Sequence, residues 1–133
     1  MLFRSAAHLR AQGLPVLLVG PVPNYSRPLP RLLQLGVLTN NPRAPSRFAV
    51  AGQFEIDRTL QHEATAQGIP YISPLRLLCP RQQCRTLVGP VPLQFDSNHL
   101  TAEGSVYLAR LIKSAGLLQE LMAHDTRGVP PVK

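Results

Sequence analysis

The chain has 133 residues, enough for one domain with one modest core. At 44% hydrophobic and 16% charged residues the composition is globular, and with few aromatics and no Trp the core must be built mainly from Leu, Val, Ile and Ala. The formal net charge is +7, but the arginines are scattered singly and no basic run interleaved with aromatics appears, which argues against a nucleic-acid partner. No segment approaches the ~18 consecutive apolar residues of a membrane span. His8 and Arg10 interrupt the N-terminal stretch where an export signal would need an apolar run.

In chain order, LFRSAAHLRAQG (2–13) places Leu2, Phe3, Ala6 and Leu9 at helical spacing, with Gly13 as the stop. Leu14–Val19 is a continuous apolar run closed by turn residues, the pattern of a strand buried on both faces. Residues 20–47 carry Pro21, Pro23, Pro28, Pro30, Pro42 and Pro45. They read as a long loop with one short helix over RLLQLG (31–36), and such loops beside a strand end are often functional. A second helix is expected from Ser46, as N-cap, to Gln67, ended by Gly68, with Val50, Phe54, Ile56, Leu60 and Ala64 on its apolar face. IPYIS (69–73) is a second β-rich run, so a unit of helix, Gly turn, strand and loop occurs twice, the mark of a parallel α/β sheet. An irregular stretch follows, holding Cys79 and Cys84 and a small hairpin around Gly89-Pro90. The last helix begins at Thr101, and Gly116 breaks or kinks it before LLQELM (117–122). The domain is placed at 1–124, with 125–133 a frayed tail.

The chemistry concentrates in FDSNHLTAEG (95–104). An imidazole acts as a general base when a partner on one ring nitrogen fixes its tautomer and leaves the other free. Asp96, three residues before His99, can be that partner. Thr101 as N-cap and Glu103 in the first turn would hold the pair against a rigid helix start. A surface Asp and His that merely flank a helix would show the same spacing. His8, His62 and His124 read as structural or solvated.

DSNHLTAEG resembles the last signature block of the SGNH hydrolases, an Asp-x-x-His-Leu-Ser/Thr with Gly shortly after. CPRQQC (79–84) ahead of it, and GLPVLLVGPVPNYSRPLP (13–30) earlier, are similar to the C-terminal SGNH domain fused to integral-membrane acyltransferases. The resemblance covers about residues 1–115. It implies a three-layer α/β/α, flavodoxin-like domain with a small parallel sheet, Leu14–Val19 central and Ile69–Ile72 its neighbour. It implies Ser-Asp-His acyl transfer without a cofactor or metal, Asp96 orienting and His99 serving as base. Asn24, Tyr25 and Ser26 of the Pro-rich loop are candidates to line the substrate groove. The partners it implies are an acyl donor delivered by a membrane acyltransferase domain and a glycan or lipopolysaccharide acceptor. The place it implies is the periplasmic side of a bacterial inner membrane.

The family's Gly-Asp-Ser block and its oxyanion-hole Gly and Asn blocks have no counterpart here. Ser5, Ser26 and Ser97 replace the nucleophile poorly, because none sits on a Gly-rich strand-to-helix elbow. Loss of the nucleophile of such a triad lowers the rate by about 10⁶. An oxyanion hole contributes another ~3–4 kcal/mol. The expectation is therefore a C-terminal part of an acyltransferase domain, N-terminally truncated, inactive alone, and prone to self-association through an uncovered sheet edge. A secreted SGNH esterase and a non-enzymatic truncated remnant are the alternatives. For Cys79 and Cys84, a zinc site with Asp96 and His99 is a poor match in spacing, and reduced core thiols are the bland option. The family's location outside the cytoplasmic membrane ranks a Cys79–Cys84 disulfide first.

Overall fold

A computed structural model of the chain describes residues 1–119 and 123. The expected tail at 125–133 and His124 lie outside the described residues. The described elements are helix α1 (Leu2–Ala11), strand β1 (Leu18–Val19), helix α2 (Leu29–Leu38), helix α3 (Gln53–Ala66), strand β2 (Tyr71–Ile72), helix α4 (Pro74–Leu78), strands β3 (Leu87–Val88) and β4 (Val91–Pro92), and helix α5 (Ala102–Ser114). This is a mixed α/β arrangement with small sheets. β1 and β2 pair in parallel, Leu18 opposite Tyr71 and Val19 opposite Ile72. β3 and β4 form the antiparallel hairpin around Gly89-Pro90.

The first strand is shorter and more open than its apolar run predicts. Only Leu18 is buried; Val19 is 60% exposed, and Leu14 and Leu17 are exposed as well. Among the described residues β1 pairs with β2 alone, so its other edge carries no strand. The helix expected over 46–67 is also corrected. Ser46 lies in a 3₁₀ turn (Pro45–Phe48), and α3 starts at Gln53 behind Gly52, whose φ of 76° is left-handed. The chain is held extended between the two, because Ala49 bridges Tyr25 and the Val50 N–H donates to the Asn24 carbonyl. The residues α3 buries are Gln53, Asp57 and Ala64, while Ile56 faces water.

Two apolar clusters fill the interior. Leu29, Leu32, Leu75, Leu78, Leu93 and Tyr25 form the larger, with Tyr107, Leu108 and Leu111 of α5 packed on it. Ala6, Leu18, Ala64 and Ile69 form the smaller. Asp57 organises the polar ground where β1 and β2 end. Its carboxylate is fully buried and accepts from the Tyr71 hydroxyl at 2.7 Å, the Ser73 hydroxyl at 2.9 Å and Arg76 Nε at 3.0 Å. A buried carboxylate needs such partners, since desolvation without them outweighs other local terms. Ser73 also caps α4 by accepting from the Arg76 N–H, so one anion joins α3, β2 and α4. Burial and donation to Asp57 push the Tyr71 phenol above its ordinary value. Gly20 is forced by the same cluster: a Cβ there would run into the Tyr71 ring and hydroxyl and the Asp57 carboxylate.

Replacing Asp57→Ala strands Tyr71, Ser73 and Arg76 together. The expected loss is about 2–4 kcal/mol in urea unfolding, moderated because Arg76 is half exposed to water. Gly20→Ala should lower the unfolding midpoint by the same route without removing any polar group.

Candidate functional site

The candidate site is a loop between two fixed ends. Gln94 and Leu100 face each other in an antiparallel bridge, and the Phe95 N–H donates to the His99 carbonyl at 3.0 Å. Beyond the bridge, Thr101 begins α5. Its hydroxyl donates to the Pro92 carbonyl at 2.8 Å and accepts from the Gly104 N–H at 3.0 Å, so the helix cap also anchors the chain leading into the loop. Gly104 takes the place where a capping Glu would reach back, and the packing gives the reason. A Cβ at 104 would collide with the Leu93 carbonyl.

Inside this frame Asp96 divides its two oxygens. Oδ1 accepts the N–H groups of Asn98 at 2.8 Å and His99 at 2.7 Å, closing the turn. Oδ2 stands 2.6 Å from His99 Nδ1. The bond from Asn98 N–H leads the causes that hold the Asp96 carboxyl below its ordinary value, opposed by partial desolvation and aided by His99. The imidazole rests on the Phe95 ring, with centroids 5.7 Å apart and planes at 15°. Its side chain is 67% exposed. Among the described residues no hydrogen-bond partner is recorded for Nε2, so that nitrogen is open to a reacting group.

The Pro-rich loop that leaves β1 is tied to this same loop. The Tyr25 N–H donates to the Ser97 carbonyl and the Leu29 N–H to the Asp96 carbonyl, both at 3.0 Å. The buried Gln94 amide donates to the Pro23 carbonyl at 2.6 Å. Asn24 is fixed from the far side by the Gln53 amide, which accepts its N–H at 2.9 Å and donates to its carbonyl. The expected groove residues therefore lie beside Asp96 and His99, with one correction. Tyr25 is 3% exposed and packs in the core, and burial pushes its phenol up to about 12. Its ring offers no surface to a groove, whereas Ser26 is exposed and Asn24 half-buried.

Cys79 and Cys84 are joined in a disulfide, which uses both sulfurs and removes the zinc alternative for them. Within the ring they close, Arg81 and Gln82 adopt left-handed φ angles of 53° and 63°. Non-glycine residues enter that region at roughly 1 kcal/mol or more each. Sequence reasoning missed Phe95, Gln94 and Gln53 as supports of the site. An aromatic directly before the Asp was the one available signal; the two glutamines gave none, because their roles depend on long-range contacts.

Comparisons with known proteins place the chain as a whole. A family model described as "SGNH domain (fused to AT3 domains)" matches residues 1–114. Among solved structures, the periplasmic domain of a lipopolysaccharide acetyltransferase from Salmonella ser. Paratyphi A is similar at 27% identity and a TM-score of 0.66. The match covers 76% of this chain and 41% of that one, so the chain spans less than half the length of that domain. No curated protein matches.

The Asp96 carboxyl should titrate below 3.8 when followed by NMR, the ordinary value for the group. Its folded value is depressed, so the stability it lends the turn is present above the unfolded carboxyl's midpoint. That contribution is lost as pH falls through the folded one. Loss of the Asn98 and His99 amide shifts should track that titration; amides that ignore it would contradict the assigned bonds.

Proposed function

The chain belongs to the family of SGNH domains fused to AT3 domains, and from that premise we propose that it supplies the Asp–His half of a Ser-Asp-His acyl-transfer site. The acyl group, acetyl by analogy with the similar solved domain, passes to a bacterial cell-surface glycan or lipopolysaccharide. The observation that supports this most is the 2.6 Å contact of Asp96 Oδ2 with His99 Nδ1, which leaves Nε2 open.

The chemistry follows from that contact. His99 Nε2 takes the proton of a serine hydroxyl as its oxygen attacks the acyl carbonyl of the donor. Asp96 steadies the imidazolium that forms. The imidazolium then returns its proton to the departing donor group, leaving an acyl-serine. In the second half His99 takes the proton of a glycan hydroxyl, that oxygen attacks the acyl-serine, and the serine oxygen regains the proton. The Gly-Asp-Ser and oxyanion-hole blocks are not in these 133 residues. The serine and the oxyanion donors are therefore taken to come from outside them, and the chain alone is taken to be inactive. In this reading β1 and β2 belong to a larger three-layer, flavodoxin-like sheet, and the exposed edge of β1 drives self-association when the chain stands alone. The site faces the periplasm, where the Cys79–Cys84 bridge is stable, and the AT3 domain delivers the acyl donor.

In the natural protein, His99→Ala should abolish transfer of acetyl to glycan while the melting temperature stays within a few degrees. Asp96→Asn is more telling. The amide oxygen can still accept from the Asn98 and His99 N–H groups, but its NH₂ can only donate to Nδ1, which forces the proton onto Nε2. A rate loss of about 10³–10⁴ with the loop intact is expected from the wrong tautomer. Full activity of either variant would refute the assignment, and esterase turnover by the 133-residue chain alone would refute its incompleteness.

A further inference from the structure

Beside the Asp96–His99 loop runs a groove whose lining is cationic. A cleft of about 380 Å³ lies along α2, lined by Arg27, Arg31, Leu32, Gln34, Leu35 and Leu38 among others. Arg31, Gln34, Leu35 and Leu38 recur every three to four residues, so they share one face of the helix. A second cleft of about 390 Å³ shares Leu35 as a wall and adds Asn41, Arg47 and Phe48. The two clefts meet at Leu35.

Arg27, Arg31 and Arg47 are exposed, and among the described residues none of them has an ion-pair partner. Arg27 is held in place instead by the Phe48 ring, with its guanidinium 5.5 Å from the ring centroid. No acidic residue stands in the first turn of α2. The N–H groups of that turn are already engaged: Leu29 donates to Asp96, and Arg31 and Leu32 donate to Pro28. The positive field therefore comes from the guanidinium forks, which suit carboxylate and phosphate oxygens bidentately. The Leu29–Asp96 hydrogen bond ties the start of α2, next to the lining residues Arg27 and Pro28, to the candidate catalytic loop.

We propose that this groove binds an anionic stretch of the acceptor glycan, with Arg27, Arg31 and Arg47 taking carboxylate or phosphate groups on its sugars. The groove's preference for anions rests on its own lining; that the anion is carried by sugars of the acceptor rests on the acyl-transfer reading. Leu35 and the exposed Leu38 offer apolar surface against which sugar rings can lie, and two clefts sharing Leu35 as a wall give room for more than one sugar.

The test is a binding measurement on the 133-residue chain by NMR shift titration at low and raised salt. Trigalacturonate probes the carboxylate case, glucose 6-phosphate the phosphate case, and maltotriose is the uncharged control. At least one anionic probe should bind, weaken with salt, and shift amides over 27–38 and 47, while maltotriose does not. Arg27→Gln with Arg31→Gln should weaken binding about tenfold or more. Arg27→Lys with Arg31→Lys, which keeps charge and packing, should recover part of it. Arg4→Gln with Arg58→Gln should change nothing. His99→Ala should leave binding intact, which separates failure of the groove from failure of the acyl-transfer site. Equal weakening by the Arg4/Arg58 pair, or undiminished binding by the Arg27/Arg31 glutamine pair, would overturn the proposal. So would anionic vesicles of phosphatidylglycerol binding where neither sugar does.

Discussion

One oxygen of Asp96 is committed to the backbone of its own turn and the other to the imidazole of His99. This division is the constraint on which the candidate site rests. A carboxylate that closed the turn but left Nδ1 free would give an imidazole of undefined tautomer. One that held Nδ1 without closing the turn would sit on a loop free to drift, and positional errors of about 1 Å can lower rates a hundredfold. Because Oδ1 is occupied by two N–H groups, the carboxylate cannot rotate without breaking both. The orientation of His99 is therefore set by a carboxylate locked to the backbone, with the Phe95 ring stacked beneath it, although the imidazole is largely in water.

The fold works to hold that turn from three sides. The Gln94–Leu100 bridge and the Thr101 cap fix its ends. The Pro-rich loop and the first residue of α2 supply N–H donors to the Ser97 and Asp96 carbonyls, and this loop is itself stiffened by Pro21, Pro23 and Pro28 and clamped by Gln53 and Gln94. Farther out, Asp57 joins α3 to β2 and α4. Buried polar groups in this chain thus carry the tertiary specification that a larger apolar core would otherwise supply. Such networks are informative when satisfied and severe when broken.

Local features are the legible ones. The Asp96–His99 contact before a Thr-capped helix and the Gly89-Pro90 hairpin depend on neighbours in the chain, so spacing reveals them. The parallel pairing of the two β-rich runs is long-range, and only the repeated order of helix, Gly turn and strand points to it. Ser46 is a good N-cap by type, yet α3 starts only at Gln53. What stops a helix there is the long-range pairing of Ala49 and Val50 with the Pro-rich loop. The inward face of α3 is only partly the apolar one: Ala64 is buried and Phe54 packs on the larger cluster, but Gln53 and Asp57 also point in while Ile56 is exposed, which a hydrophobic period cannot show. Leu14–Val19 looked doubly buried because periodicity reports what a segment can cover, not which partners are present. Tyr25 looked like a groove residue by its company in the loop, yet its ring turns into the core.

The central claim is that Asp96 fixes the proton of neutral His99 on Nδ1. The direct measurement is the ¹⁵N shift pair of the His99 ring, selectively labelled, with the imidazole neutral. The account predicts the tautomer with a proton on Nδ1 and a bare Nε2, reversed in Asp96→Asn. A ring protonated on Nε2, or averaged between the two tautomers as in free histidine and indifferent to Asp96→Asn, would contradict it.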